Sequence, residues 1–198
     1  MEVNKVNYLN VSKVGTVKID DLFWNRYFGH LQETTIPHIW EKATEGDALH
    51  LAKMAAGDIP MEEFPEDGKI RGRRNGEVTL IGWLEGALFS LAHKPNKQIQ
   101  KWVDYAVDLL IRSQDEEGYF LSYYTLYEKE KRFKNLLQSH ELVLMGDHID
   151  AAVMYKQVTG KTNYLDAVSK MADYIYEKLG PNSPNPYLVD GHAGIEAA

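Results

Sequence analysis

The amino-acid sequence predicts an all-α protein built from repeated helical hairpins. Two segments, about 77–113 and 140–179, each hold a pair of runs whose apolar residues recur at helical spacing. Within each pair the break is only a few residues, Lys94-Pro95-Asn96 in the first and Thr159-Gly160-Lys161-Thr162 in the second, so successive helices should turn back antiparallel. The unit recurs at about 60 residues, and WVDYAVDLL of the first can be set beside YLDAVSKMA of the second. Repeats of this kind build a solenoid or a closed helical toroid.

Taken in order, residues 1–20 alternate, with Val11, Val14, Val17 and Ile19 separated by polar residues and Gly15, which reads as a short strand or extended arm. At Asp20-Asp21 an N-cap signal precedes Phe23, Tyr27, Phe28 and Leu31 at helical spacing. Pro37 should interrupt this helix, and a second piece is expected from about Ile36 to Thr44. Residues 57–76 hold Gly57, Pro60, Pro65, Gly68, Gly72 and Gly76 with charges of both signs, and read as a long loop, a candidate lid. Leu80, Trp83, Leu84, Ala87, Leu88 and Leu91 mark a helix from Glu77 to His93, and Ile99, Trp102, Val103, Ala106, Leu109 and Leu110 the next, from Asn96 to Ser113. Gly118 ends that run, and the aromatic stretch from Tyr119 to Tyr124 favours extended backbone. The second hairpin follows, from His140 to Val158 and from Asn163 to Leu179, with Gly160 suited to a helix C′ position. Gly191-His192-Ala193-Gly194 looks like the opening of a further helix, so the chain reads as part of a larger domain.

Composition bounds the chemistry. Among 198 residues, 22 Lys+Arg stand against 29 Asp+Glu, a net charge of −7 that argues against non-specific nucleic-acid binding. With 44% hydrophobic and 26% charged residues the chain falls in the soluble globular class, and no run approaches the length that spans a bilayer. The N-terminus shows no signal-peptide pattern, so the expected compartment is the cytoplasm or one this sequence does not specify. There is no Cys, hence no disulfide, thiolate metal site or cysteine nucleophile within these residues. Twelve Tyr and four Trp could serve a sugar site or an ordinary core.

The spacings alone identify little chemistry. His140, Asp147 and Asp150 fall near one helix face, yet His140 and Asp147 are two turns, about 10 Å, apart. Helix capping by Ser139 and Glu141 with solvent-exposed charges is the favoured reading. The His-x-x-x-His spacing of a helical metal site is absent. Glu116-Glu117 and Asp20-Asp21 are adjacent pairs that do not face each other, and read as solvated helix-end charges. Lys69, Arg71, Arg73 and Arg74 form a basic knot balanced by Glu62, Glu63, Glu66 and Asp67.

Several segments nevertheless resemble glycoside hydrolase family 127, the β-L-arabinofuranosidases. They are Val17-Lys18-Ile19-Asp20-Asp21-Leu22-Phe23-Trp24, Thr35-Ile36-Pro37 and Trp83-Leu84-Glu85. The most specific run is Gly118-Tyr119-Phe120-Leu121-Ser122-Tyr123-Tyr124-Thr125-Leu126, leading through Glu130-Lys131-Arg132-Phe133 to Ser139-His140-Glu141-Leu142. Ala151-Ala152-Val153, Thr159-Gly160-Lys161 and the closing Gly191-His192 with Ile195-Glu196 follow in order. The resemblance implies that residues 21–198 are the N-terminal part of an (α/α)6 barrel, with 1–20 as its arm. It implies a retaining hydrolase of arabinofuranose-containing glycans whose cysteine nucleophile, zinc site and acid/base glutamate lie beyond residue 198; none of these catalytic or metal residues is expected in this chain. By motif, His140 and His192 would line the sugar subsite, and Trp83 and Tyr123 could stack on sugar or pack in the core. Where the family often has Gly-His-Leu-Ile-Glu, this chain has Gly146-Asp147-His148-Ile149-Asp150, which leaves the exact glycan open. The alternatives are a non-catalytic relative that binds carbohydrate or a partner, and another (α/α)6 enzyme such as an unsaturated uronyl hydrolase or sugar epimerase. A partial toroid would leave apolar faces uncovered, so self-association is expected.

Overall fold

A computed structural model describes residues 14–70, 74, 76–184, 190–192, 194–196 and 198. The described residues are helical, without strands. The arm expected over 1–20 lies outside them up to residue 13, Val11 included; residues 14–20 form turns and bends, with Val17 and Ile19 exposed.

The first helix, α1 (Leu22–His30), is capped by Asp21, whose Oδ1 accepts from the backbone N–H groups of Phe23 at 2.9 Å and Trp24 at 2.7 Å. The second helical piece expected from about Ile36 to Thr44 is present, but Pro37 does not separate it from the first. Leu31–Thr35 form a π-helical turn, and α2 (Ile36–Glu45) continues from it with Pro37 in its first turn. Proline's missing N–H and its bulk against the preceding turn are absorbed by that wider turn. A short helix α3 (His50–Ala55), not evident in the sequence pattern, buries His50, Leu51, Ala52 and Met54.

The two expected hairpins are present. The first is α4 (Glu77–His93) with α5 (Lys97–Ser113), the second α8 (Glu141–Thr159) with α9 (Asn163–Leu179). Asn96 caps α5 by accepting from the N–H groups of Gln98 and Ile99, and Gly160 ends α8 at φ +77, where a Cβ would be strained. Between the hairpins lie α6 (Ser122–Leu126) and α7 (Leu136–Ser139).

The hairpins stack in two layers. α4 and α8 are the most extensively packed pair, and α5 and α9 pack behind them and against each other. The layering follows from sequence. α5 and α9 each carry one apolar face and one charged face, whereas α4 is apolar nearly all round, as befits a helix with neighbours on more than one side. Leu80, Leu84, Leu88, Val103, Ala106, Leu110, Met145 and Ala152 are fully buried at this junction, each large side chain contributing about 1.5–3 kcal/mol of burial.

Two further expectations are corrected. The aromatic stretch is not a strand: Tyr119, Phe120 and Leu121 are buried in irregular backbone and Ser122–Leu126 are helical. Tertiary burial overrides the strand preference of these residues, with the Ser122 N–H donating to Glu77 Oε1 at 2.7 Å. The described residues after Gly191 form turns rather than the opening of a helix. No helix among the described residues is long and apolar enough to cross a membrane.

Candidate functional site

The site is built where α8 begins. His140 adopts the left-handed conformation, φ 54 and ψ 35, so α8 starts one residue later than the sequence suggests. Neither His140 nor its neighbours cap the helix locally. The cap comes from Asp190, far along the chain: its buried carboxylate accepts from the Leu142 N–H at 2.8 Å through Oδ2 and from the His192 N–H at 3.1 Å through Oδ1. A carboxylate at a helix N-terminus meets both unpaired N–H groups and the positive end of the dipole. Asp190 thus ties the 190–192 segment to α8, and the Gly191 N–H donates to the Leu136 carbonyl at 3.3 Å.

Glycines permit the approach. A Cβ on Gly191 would stand 2.3 Å from the Leu137 carbonyl oxygen and 3.1 Å from His140 Cε1. A little further along, Ile195 crosses α8 at Gly146, where a Cβ would meet the Ile195 backbone at 3.0 Å. The outcome is that the rings of His140 and His192 lie 4.4 Å apart. His192 is exposed and His140 half-buried; His140 Nδ1 stands 3.7 Å from Asp190 Oδ1 and has no hydrogen-bond partner among the described residues. His140 Nδ1 is itself shielded from solvent, so a hydroxyl-bearing ligand would be met by the exposed His192 ring and by His140 Nε2, where an imidazole nitrogen donates or accepts according to its tautomer.

Glu141 is not a surface capping charge. It is fully buried, with Oε2 accepting from the Tyr119 hydroxyl at 2.5 Å, Oε1 from Ser139 Oγ at 2.7 Å, and both oxygens from the Phe133 N–H at about 3 Å. Burial raises its pKa, and the hydrogen bonds from Tyr119, Ser139 and Phe133 oppose that rise. This carboxylate locks the 119–121 segment, the 133 turn and α8 into one frame beneath the histidine pair. Leu121, Phe133 and His140, the described non-glycine residues at positive φ, all belong to this frame.

The other expected residues are placed elsewhere. Trp83 is 5% exposed, its indole N–H donates to the Ile36 carbonyl at 3.0 Å, and its ring packs on Trp40 at 4.5 Å. Tyr123 is fully buried under the Arg74 guanidinium, 4.7 Å from the ring centre; burial, then the facing Glu128, pushes its hydroxyl up to about 12. Both rings serve the core here and neither joins the histidine pair. Of the basic knot, Arg71 and Arg73 lie outside the described residues, and Lys69 pairs with Asp67 at 3.6 Å. His148 is buried, stacked on Phe120 with Nδ1 2.7 Å from the Tyr164 hydroxyl, and burial lowers it to about 3, so it stays neutral. The loop over 57–70 is fastened: the Tyr127 hydroxyl donates to the Glu62 carbonyl at 3.2 Å, Phe64 packs on Tyr127, and His50 Nε2 is 3.1 Å from Glu62.

One group was missed by spacing. Glu85 of α4 faces Asp147 and Asp150 of α8. Burial first, then these two carboxylates, raises it to about 7, and burial also raises Asp147. The signal was available, since Glu85 is the one charged residue in the apolar run from Val78 to Ala92. Among the described residues no group of three His, Asp or Glu side chains is placed to hold a metal ion.

Residues 16–198 match the model of the β-L-arabinofuranosidase GH127 catalytic domain. The chain belongs to glycoside hydrolase family 127. A non-reducing end β-L-arabinofuranosidase of Bifidobacterium longum is 30% identical to it over 205 residues, covering 92% of this chain and 30% of that protein. Among solved structures, the GH127 β-L-arabinofuranosidase Ara127N of Geobacillus stearothermophilus T6 superposes with a TM-score of 0.81 at 33% identity, and the GH127 β-arabinofuranosidase BT3674 with 0.80 at 28%. Each covers 91% of this chain, which spans 28% and 29% of theirs. The GH127 chain thus corresponds to under a third of its relatives' length, and its all-helical hairpins are the fold those neighbours share.

Proposed function

We propose that this GH127 chain forms the N-terminal part of an (α/α)6 catalytic barrel, over residues 21–198, and supplies one wall of a sugar pocket for β-L-arabinofuranosides. The observation that carries this reading is the His140–His192 pair: two rings from distant parts of the sequence, 4.4 Å apart, held by Asp190 at the start of α8. In this reading each ring hydrogen-bonds a furanose hydroxyl, Glu141 holds their frame rigid, and Trp83 and Tyr123 act behind the wall. The nucleophile, the acid/base group and any zinc come from parts of a longer protein, so the chain alone turns over no arabinofuranoside. Self-association through apolar surface belongs to the same proposal.

Titration of L-arabinose against the 198-residue chain, followed through the histidine ring resonances, tests it. The His140 and His192 signals should move together and saturate, and His140→Ala and His192→Ala should each weaken binding about tenfold with an unchanged far-ultraviolet spectrum, the value of one lost hydrogen bond. Sugar-independent histidine signals, or wild-type affinity in both variants, would remove the pair from the pocket.

A further inference from the structure

The end of the helix pair that carries the histidines holds a second exposed donor. Glu141, the first residue of α8, accepts from the Tyr119 hydroxyl, and three residues on the Ser122 N–H donates to Glu77, the first residue of α4. Three residues span at most about 11 Å, so α4 and α8 begin at the same end, joined by the 119–122 bridge. His140 immediately precedes α8 there, and Arg74 stands three residues before α4. Tyr124, on α6 just past the bridge, is placed between the two sides: burial raises its hydroxyl and Glu141 adds to the rise, while Arg74 opposes it.

Arg74 is exposed, and its guanidinium lies 4.7 Å from the centre of the Tyr123 ring, which is itself fully buried. The cation therefore covers the outer side of that ring. A guanidinium held over an aromatic face by cation–π attraction still offers five N–H donors in a fixed fork. Among the described residues Arg74 spends none of them on a hydrogen bond or an ion pair. Glu128, a carboxylate within electrostatic reach of Arg74, is paired with Lys131 at 2.6 Å. A fork already positioned by its ring loses little freedom when its donors are used, and it matches two acceptors side by side. On a neutral sugar such acceptors are neighbouring hydroxyls. The nearby Glu128 and the net charge of −7 count against an anion in that place.

We propose that Arg74 is a specificity-determining residue, its fork donating to neighbouring hydroxyls of the sugar unit that carries the terminal arabinofuranoside. This rests on the reading that the histidine pair holds the terminal unit. The test is calorimetric titration of the 198-residue chain with methyl β-L-arabinofuranoside and with a β-linked di-L-arabinofuranoside. The two-unit ligand should bind about tenfold more tightly than the one-unit ligand, the worth of a charge-assisted pair of hydrogen bonds. Arg74→Ala should bring that ratio down to about one. Arg74→Lys, which keeps the charge and loses the fork, should restore only part of it. Raising salt should leave the ratio in place, since the ligand is neutral. If Arg74 only covers Tyr123, its replacement shifts both affinities equally and leaves the ratio at its wild-type value. The proposal is overturned by a ratio of one in the wild-type chain, by a ratio that survives Arg74→Ala, or by full recovery in Arg74→Lys. The histidine pair is read separately, through its ring resonances. Rings that respond to both ligands while the ratio is one leave the pair standing and remove Arg74. Silent rings with a ratio that depends on Arg74 do the reverse, and no binding of either ligand removes both.

Discussion

Glu85 lies among apolar neighbours on α4 with Asp147 and Asp150 of α8 as its nearest charges, and it keeps its proton to about pH 7. An unfolded glutamate releases its proton near its ordinary value of 4.5. Between these two pH values the unfolded chain therefore binds fewer protons than the folded one, and stability falls as pH rises. Asp147, also raised by burial, adds to the same trend. Asp58 and Asp115 act oppositely and elsewhere: both are lowered, Asp58 chiefly by the Arg112 hydrogen bond, and Asp115, although burial pushes it up, by its bonds from Tyr119 and Arg132, so what they stabilise is lost only below about pH 4. Urea midpoints taken from pH 4.5 to 7.5 should decline through that window, and Glu85→Gln, which stays neutral, should flatten the decline. A pH-independent wild-type midpoint would show that Glu85 titrates normally. At this scale the sequence is an uneven guide. Glu85 was visible as a lone charge in an apolar run, whereas the nearness of His140 and His192 was visible only through family motifs, because nothing local records which distant segments meet.

The helices that sequence pattern located well are the long ones. α4, α5 and α9 begin and end where periodicity, Asn96 and the flanking breaks place them, because many residues share one period and tertiary packing reinforces it. The elements it missed are short or internally conflicted. α3 and α6 are six and five residues long, too short for a period to show, and α6 is rich in aromatics that favour strands. The π turn at Leu31–Thr35 answers a local conflict with Pro37 that periodicity cannot see. The segment 190–192 is the functional counterpart: it has no regular structure of its own and is fixed by Asp190 capping α8 and by Gly191 pressed on α7. Gly191→Ala tests that arrangement as a unit. The added Cβ would clash with a backbone carbonyl, so the segment must lift, and Asp190 loses its grip on the Leu142 N–H. A loss of about 1–2 kcal/mol is expected, the usual value of a helix cap, together with histidine signals that no longer respond jointly to arabinose. Wild-type stability and response would mean that the backbone yields there without cost.

At the scale of the whole molecule, two of the exposed apolar regions among the described residues bear on association. On α1 Leu22 is 96% exposed, with Phe23, Trp24 and Tyr27 beside it, and no residue of this helix is buried. On the inner helices Val78 and Phe89 of α4 and Val153 of α8 are exposed, although α4 is otherwise a core element. Contiguous apolar patches on a folded chain drive association, and the relatives, more than three times as long, have far more polypeptide with which to cover the corresponding faces. The net charge of −7 opposes self-association through mutual repulsion, but that repulsion is screened at ordinary ionic strength over about 8–10 Å while apolar burial is not. A stable interface of standard size buries about 1,600 Å² in total. Sedimentation velocity should therefore show the isolated chain heavier than its 22.6 kDa monomer mass, with the heavier species growing as salt is raised. Phe23→Asp should reduce association if α1 is the contact, and Phe89→Asp if the inner face is; the two together should return the chain to a monomer. A single monomeric boundary for the wild type at tens of micromolar and high salt would mean that these faces are stable in water as they stand.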